Sequence, residues 1–369
     1  MIVYCLVCYL SIGYNENRIK HNKSYTRSKL MKRKIILFTE PYKAELIEQE
    51  IADTPAANEV YVKTVYSTIS AGTEKANFIG DMNVSPNPNF VPAFPRYCGY
   101  AAAGEVIAIG SNVTKCKVGD RVVVAWSSHT NINVKDQGNI AIIPDNVSYS
   151  EASPTLISIF PLSAIRKTVL EAGESSLVMG LGILGCFAVH QLRALGAYPI
   201  IAADPVKERR DLALQLGADY ALDPTEPDFA EKVKSLTNGG AATCIEVTGV
   251  GQGLDTALDC MAMRGRIALL GCTRDKNFTI DYYRKVHGRG IQMFGAHIAA
   301  TPTLESSHGY RTQMDEVRTV LGLLGGGRLN YKQFITAHGN PEDCQEIFTR
   351  LANDRNFPIG FQFDWENIK

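Results

Sequence analysis

Residues 176–185 read Ser-Leu-Val-Met-Gly-Leu-Gly-Ile-Leu-Gly, an apolar run followed by three closely spaced glycines. The apolar run predicts a strand, and the pattern that follows it predicts a helix as far as Leu195. Gly180 would make the tight turn between strand and helix. Gly182 would let backbone N–H groups approach a pyrophosphate, and Gly185 would let the helix pack closely on the strand. The arrangement predicts a dinucleotide-binding fold.

An acidic residue stands where such a fold needs one. Asp204 lies 19 residues past Gly185, at the end of the next predicted strand, where its carboxylate can accept hydrogen bonds from an adenosine ribose. Its charge would repel a 2′-phosphate, which favours NAD over NADP. The alternative is open, because Lys207, Arg209 and Arg210 follow closely and could bind that phosphate.

Two patterns of predicted elements divide the chain. From Lys34 to Pro144, short β-rich runs are broken by turn residues, which predicts a barrel-like or sandwich-like β structure. After Tyr149 strands alternate with helices, and this alternation requires a parallel sheet with helices on both faces. At 369 residues the chain is also long for one core. We expect an α/β protein with a β-rich domain and a doubly wound parallel-sheet domain.

The composition excludes some classes of partner. Lysine plus arginine and aspartate plus glutamate number 38 each. The chain therefore lacks the basic surplus of a nucleic-acid-binding protein, and a small-molecule substrate is expected. The nine cysteines are scattered and mostly lie in apolar runs, which indicates reduced thiols and a cytoplasmic protein.

The first 30 residues are predicted to be a disordered extension. Met31 offers a second start immediately before the strand predicted at Lys34. The apolar stretch at the N-terminus is too short to span a bilayer, so no membrane association is expected. Cys5 and Cys8 have no second pair at zinc-finger spacing, and we interpret their proximity as incidental.

From Met31 to the C-terminus, the sequence resembles the zinc alcohol dehydrogenase branch of the medium-chain dehydrogenase/reductase superfamily. The motifs that carry the resemblance follow the family's order: Gly104 with Val106 and Gly110, Lys117-Val-Gly-Asp-Arg-Val, the glycine fingerprint, Asp204 with Arg209, Glu246-Val-Thr-Gly249 and Gly265-Arg-Ile-Ala-Leu-Leu-Gly271. The resemblance implies a GroES-like catalytic domain over residues 31–154 and 297–369, with a Rossmann coenzyme domain over residues 155–296 between them.

The same resemblance implies which residues contact the coenzyme. The expected residues are Gly180, Gly182, Ile183, Leu184, Gly185, Asp204, Arg209, Thr248, Gly271, Thr273, Phe294 and Ala296. Thr248 is implied to lie near the adenosine, whereas the segments Gly271–Thr273 and Phe294–Ala296 are implied to line the nicotinamide. Coenzyme domains of the family commonly pair edge to edge, so a homodimer is expected as well.

The family's zinc-binding positions hold other residue types in this chain. The matching positions are Ser70, Tyr100, Ala101 and Thr155. Zinc prefers thiolate and imidazole ligands, and none of these side chains offers either. The four-cysteine segment that carries structural zinc is also absent. We therefore predict neither catalytic nor structural metal, with a shifted ligand set of Glu74, Cys98 and His129 as the alternative.

Without a metal, a hydroxyl or imidazole group must polarise the substrate oxygen. Tyr100 replaces the zinc-binding histidine and is the first candidate; the alternative is a residue that only fills space. His129, in a predicted loop, is a candidate general acid or base, and the alternative is a solvated histidine. Ser70 and Glu74 lie in a predicted loop and are candidates to bind a polar substrate; the alternative is a purely structural loop.

Three functions follow from this sequence. The first is a zinc-independent, NAD-dependent oxidoreductase that transfers hydride between nicotinamide and an alcohol or ketone. The segment from Ser70 to Glu74 resembles that of sugar and polyol dehydrogenases, which implies a sugar, cyclitol or polyol substrate. The second is an NADPH-dependent quinone- or enoyl-type reductase, against which Asp204 argues. The third is a catalytically silent dinucleotide-binding protein.

Overall fold

The structure, a computed structural model, describes residues 29–85, 87, 89–273 and 277–368. It divides the chain into two compact units, one of Met1–Leu156 with Ile335–Lys369 and one of Ile157–Phe334. The predicted extension lies outside the described residues except for its last two. Of these, Leu30 pairs with Ala52 as the first residue of a strand. Strand pairing thus begins before Lys34, and the disordered extension stays a prediction.

Strands and helices follow one another along the chain. The strands are β1 (Leu30–Glu40), β2 (Lys43–Ala52), β3 (Glu59–Thr68), β4 (Arg96–Tyr97), β5 (Ala101–Ile109), β6 (Arg121–Ala125), β7 (Ile132–Asp136), β8 (Ile140–Ile142), β9 (Ser176–Met179), β10 (Ile200–Ala203), β11 (Tyr220–Leu222), β12 (Ala241–Glu246), β13 (Met261–Leu269), β14 (Gln292–Gly295), β15 (Ile335–Gly339) and β16 (Gly360–Asp364). The helices are α1 (Ala71–Ile79), α2 (Tyr149–Ala152), α3 (Thr155–Lys167), α4 (Ile183–Leu195), α5 (Lys207–Gln215), α6 (Phe229–Leu236), α7 (Gly251–Cys260), α8 (Gln313–Gly325) and α9 (Cys344–Asn353). No helix of the described residues is both long and apolar enough to cross a bilayer.

The first unit is built mainly from antiparallel strands. One sheet has the order β2-β1-β4, and a larger one has the order β15-β16-β3-β5-β6-β8, with β7 also paired to β3. Alternate residues of β3, such as Val60 and Val62, are buried in an apolar cluster, as expected for a sheet with one face on a core. A second, aromatic cluster includes Phe78, Phe348 and Trp365. The predicted β-rich domain is confirmed.

The second unit is a doubly wound parallel sheet, as predicted. Its strand order is β11-β10-β9-β12-β13-β14, and every neighbouring pair is parallel. The central strands β9 and β10 are fully buried, because helices cover both faces. The order of the strands reverses between β9 and β12. In such sheets a ligand binds beyond the carboxyl ends of the two strands at this reversal.

The compact units differ from the predicted domains over residues 297–334. The prediction gives this segment to the catalytic domain, whereas the structure packs it into the second unit. The rings of Tyr331 and Phe334 each lie 4.7 Å from the ring of Phe187 in α4. Gln191, from the same helix, donates to the Tyr331 hydroxyl at 3.2 Å. These contacts explain the difference, and the domain boundaries themselves stay a prediction.

Candidate active site

Helix α1 carries two of the predicted catalytic residues at its beginning. Ser70 is the residue before the first turn, and Glu74 lies within that turn. Glu74 Oε1 accepts a hydrogen bond from the Ser70 backbone N–H at 2.7 Å, so its carboxylate stabilises the positive end of the helix. The prediction of a loop was wrong here, because this contact and the burial of Phe78 in the aromatic cluster stabilise a helix instead.

Tyr100 and Ser70 contact each other directly. The Tyr100 hydroxyl donates a hydrogen bond to Ser70 Oγ, and both residues are 4% exposed. The phenol ring lies against the ring of Trp126, with 5.7 Å between the ring centroids. Gly99, with φ of +81°, precedes Tyr100, and a Cβ atom at this glycine would lie 2.8 Å from the His129 ring. The glycine therefore allows Tyr100 and His129 to occupy neighbouring positions.

A second buried network centres on His129. Its Nε2 atom lies 2.8 Å from Glu74 Oε2, and its Nδ1 atom lies 2.7 Å from Ser67 Oγ. Trp365 Nε1 donates to the same Ser67 oxygen at 2.8 Å. His129 is 0% exposed, so the alternative of a solvated loop histidine is wrong. The network joins Glu74 to both Ser70 and His129, and the structure thus brings all four predicted catalytic residues together.

The residues present do not fit a zinc ion. Ser70 and Tyr100 are hydrogen-bonded to each other, while Ala101 offers no ligand atom. In the alternative set, Glu74 and His129 are paired, and Cys98 Sγ donates to the Ile36 carbonyl at 3.4 Å. Burial, with the nearby Glu74 charge, raises the pKa of the Cys98 thiol well above its usual range, which disfavours the thiolate. Within the described ranges, no group of three His, Cys, Asp or Glu residues is placed to hold a metal.

The glycine fingerprint has the local geometry that its sequence predicts. Gly180 has a φ of +95°, which favours glycine. A Cβ atom at Gly185 would lie 1.9 Å from the Gly180 carbonyl oxygen, so no other residue fits there without movement. Gly182 is the residue before helix α4, which has no side-chain cap, and a Cβ atom at Gly182 would meet nothing within 4 Å. The amino end of α4 is thus open to a ligand, with Ile183 and Leu184 in its first turn.

Asp204 holds the glycine loop in place. Its Oδ2 atom accepts from the Leu181 N–H at 2.8 Å, and its Oδ1 atom accepts from the Val206 N–H at 2.9 Å. Arg209 Nη1 lies 3.6 Å from Oδ2. The guanidinium therefore already has an anionic neighbour, which weakens the alternative in which Arg209 serves mainly to bind a phosphate.

The other predicted coenzyme residues follow the carboxyl ends of neighbouring strands. Thr248 follows β12, and its backbone N–H donates to Glu246 Oε1 at 2.8 Å. Burial raises the pKa of the Glu246 carboxyl. Gly271 and Thr273 follow β13, whereas Phe294 belongs to β14 and Ala296 follows it. All of these positions lie at the sheet edge where a dinucleotide is expected.

Sequence reasoning missed the partners of His129. Ser67 is the second-last residue of β3, and Trp365 directly follows β16. No spacing rule links either position to residue 129, so no signal in the sequence identifies this contact. It also missed Lys167, a buried lysine at the end of α3. A lysine among apolar helical residues is a weak signal of a special environment, because lysines are rarely buried.

Family models match both parts of the chain. A model described as the alcohol dehydrogenase GroES-like domain matches residues 56–147. A model described as zinc-binding dehydrogenase matches residues 184–332. The two matches follow one another in the order expected from the β-rich and parallel-sheet units.

Individual proteins match over most of the chain. L-threonine 3-dehydrogenase of Pyrococcus horikoshii is 30% identical over 331 residues, which are 82% of this chain and 90% of that protein. D-guloside 3-dehydrogenase of Escherichia coli K12 is 27% identical over 321 residues, covering 82% of this chain and 91% of that protein. The solved 2R,3R-butanediol dehydrogenase of Bacillus subtilis has a TM-score of 0.75 at 22% identity, over 90% of this chain and 99% of that one.

Proposed function

We propose, for a chain that belongs to the zinc alcohol dehydrogenase branch of the medium-chain dehydrogenase/reductase superfamily, that its reaction is independent of zinc. The chain is an NAD(P)-dependent, alcohol dehydrogenase-like oxidoreductase. The direct hydrogen bond between Tyr100 and Ser70 carries the proposal. Two ligands of one zinc ion each lie about 2.0–2.3 Å from the metal, so ligand atoms in direct hydrogen-bond contact leave no room between them for the ion.

The proposed substrate is a secondary alcohol of a sugar, cyclitol or polyol, or the matching ketone. The names of two relatives support this class, since threonine and guloside are both hydroxylated compounds. The residues from Ser70 to Glu74 support it too, because they put hydroxyl and carboxylate groups in one segment. Fold alone would not specify the substrate.

NAD is the proposed cofactor, and the second unit has the residues to hold it. Backbone N–H groups at the amino end of α4 would bind the pyrophosphate beside Gly182. The Asp204 carboxylate would accept hydrogen bonds from the adenosine ribose through lone pairs that its two backbone contacts leave available. When bound, the cofactor accepts a hydride from the substrate carbon or returns one to it.

Tyr100 is proposed to handle the proton. In the reducing direction, the substrate oxygen takes the proton from the Tyr100 hydroxyl as the carbonyl carbon gains the hydride. The phenolate that remains would be stabilised by the Ser70 hydroxyl, which then donates to it instead of accepting. Water returns a proton to Tyr100 after the alcohol leaves. Oxidation of the alcohol follows the same steps in reverse.

Glu74 and His129 are proposed to position this pair. The Glu74 carboxylate fixes the backbone of Ser70 by accepting its N–H at 2.7 Å. His129 in turn fixes Glu74 at 2.8 Å. A buried and fully hydrogen-bonded network holds a small catalytic group in one orientation, which reduces the cost of reaching the reactive geometry.

The test combines metal analysis with cofactor and substrate measurements on the purified full chain. We expect substoichiometric zinc, tighter calorimetric binding of NAD than of NADPH, and chelator-insensitive reduction of NAD by at least one of sorbitol, myo-inositol or galactitol. Stoichiometric zinc with activity lost to the chelator would refute zinc independence. Preference for NADPH with quinone reduction would favour the double-bond reductase, and no nucleotide binding would favour a silent protein.

We also propose a homodimer, on the resemblance to a family whose coenzyme domains pair edge to edge. Strand β14 is the last strand of its sheet in the described residues and pairs with β13 on one side. Light scattering coupled to size exclusion should give twice the 40.5 kDa mass of the chain. A mass of one chain at micromolar concentration would exclude the dimer.

A further inference from the structure

Lys167 is a buried ammonium group without a counter-ion. It ends helix α3, is 5% exposed, and donates to the Gly295 carbonyl at 2.9 Å. The ring of Tyr310 lies 5.9 Å away. No ion pair of Lys167 occurs within the described part of the chain, whereas its neighbour Arg166 is paired with Glu316 at 2.6 Å. Burial lowers the pKa of Lys167, because a buried charge without a partner is unfavourable.

His297 presents a second donor close to this ammonium. Its Nδ1 atom accepts from the Ala299 N–H at 3.2 Å, so the ring hydrogen of the neutral form lies on Nε2. Burial and then the Lys167 charge lower the pKa of His297. A lowered pKa favours the neutral ring, whose one hydrogen lies on Nε2. None of the hydrogen bonds between described residues uses Nε2.

The two donors lie at the end of the sheet where ligands of such folds bind. Gly295 is the last residue of β14, and His297 follows two residues later. Phe294 and Ala296, on either side of Gly295, are the residues that we expect near the nicotinamide. A cation and a hydrogen-bond donor at this position suit an anionic group on the molecule that reacts there.

We propose that Lys167 and His297 form a carboxylate-binding site, and that this site makes the protein prefer a polyhydroxy acid such as an aldonate over the matching neutral polyol. The inference rests on the proposed function, since it names the substrate of that reaction. The carboxylate supplies the counter-ion that Lys167 lacks, accepts from His297 Nε2, and leaves the hydroxyl groups of the same molecule for oxidation.

Matched pairs of acid and polyol test the inference, with binding as the readout. Calorimetry in the presence of NADH compares D-gluconate with sorbitol, D-galactonate with galactitol and D-mannonate with mannitol. Each pair has the same carbon chain and differs in a carboxylate or an alcohol at one end. We expect about 10- to 100-fold tighter binding of the acid in at least one pair, the range expected for hydrogen bonds to a charged group.

Variants then assign this preference to the two residues. Lys167→Met should remove the acid preference, because it weakens binding of the acid more than binding of the polyol. Lys332→Met, an exposed lysine of the same unit, is the control and should change nothing. His297→Ala should weaken binding of the acid but not of the polyol. This variant also tests the site if the Lys167 variant fails to fold.

The outcomes separate this inference from the proposed function. Equal binding of acid and polyol in all three pairs would overturn the inference. A Lys167→Met variant that weakens binding of the acid and of the polyol to the same extent would overturn it too. Turnover of polyols without any acid preference would leave the proposed function intact and overturn only the carboxylate site. Selective, Lys167-dependent binding of an acid without NAD reduction would support the site while refuting the reaction.

Discussion

Glu74 Oε2 lies 2.8 Å from His129 Nε2, although 55 positions separate the two residues in the chain. Trp365 has only a donor, so Ser67 accepts from it, and the Ser67 hydroxyl hydrogen is then available to His129 Nδ1. When Ser67 donates to Nδ1, the imidazole hydrogen lies on Nε2 and is directed at Glu74. The pair thus links helix α1 to the segment between β6 and β7. It also fixes the Glu74 carboxylate, which accepts the Ser70 backbone N–H.

Breaking this pair should cost stability. Glu74→Ala leaves His129 Nε2 and the Ser70 N–H without their buried acceptor, so we expect the free energy of unfolding to fall by about 3–5 kcal/mol. Urea denaturation followed by tryptophan fluorescence measures the change. Glu48→Ala removes an exposed partner of Lys32 and should leave the denaturation midpoint nearly unchanged. Equal midpoints for the two variants would contradict the structural role of Glu74.

Removing the Tyr100 hydroxyl should affect turnover rather than folding. Tyr100→Phe keeps the ring against Trp126 and loses the proposed proton donor, so kcat should fall about 10²- to 10⁴-fold. Steady-state kinetics measure this effect, with whichever of the polyols and acids named above proves to be a substrate. Tyr97→Phe is a matched control, because the Tyr97 hydroxyl accepts from Gln49 instead. Unchanged kcat in Tyr100→Phe would refute the proton-transfer role.

Asp204 should determine the choice between the two nicotinamide cofactors. Asp204→Ala removes the proposed ribose acceptor, which is also the acceptor of the Leu181 and Val206 N–H groups. NAD affinity should fall by about tenfold or more, the effect of losing charge-assisted hydrogen bonds. The affinity for NADPH should fall less, because the charge that repels the 2′-phosphate is gone. Calorimetric titration tests this, with the exposed Asp228→Ala as the control; equal losses for both cofactors would refute the assignment.

Lys135 predicts a pH dependence of stability. Burial, with a smaller effect of Arg33, lowers the pKa of Lys135 from 10.5 to about 8 in the folded protein. Between these values the unfolded chain binds more protons than the folded one, so this residue makes stability rise with pH there. Below pH 8, Lys135 is charged in both states, and burial of this charge lowers the free energy of unfolding by its full amount. Above 10.5 the residue is neutral in both states.

A variant isolates this contribution from other titrating groups. Lys135→Met should have a higher Tm than the unmodified protein at pH 7, and the difference should shrink as the pH rises from 8 to 10.5. Lys63→Met changes an exposed residue of the neighbouring strand β3 and should show no such trend. A constant difference across the window would contradict the depressed pKa of Lys135.

Much of the parallel-sheet unit could be predicted because its signals are local. The strand at 176–179 and the helix that ends at Leu195 occupy the predicted positions, since each is encoded by a run of neighbouring residues. Helix α1 was missed because its apolar side is short. Phe78 is buried against residues far away in the sequence, and the Glu74 carboxylate that accepts from Ser70 is itself held by His129, 55 positions along the chain.

By itself, the sequence determined the class of fold and the glycine loop with its following acid, because each depends on residue type at short spacing. Only the tertiary structure decided which polar atoms meet. Tyr100 and Ser70 are 30 positions apart, and Trp365 reaches Ser67 from the other end of the chain. Such contacts follow from strand pairing and from the close approach that Gly99 permits, and a buried polar atom requires a partner wherever the fold can supply one.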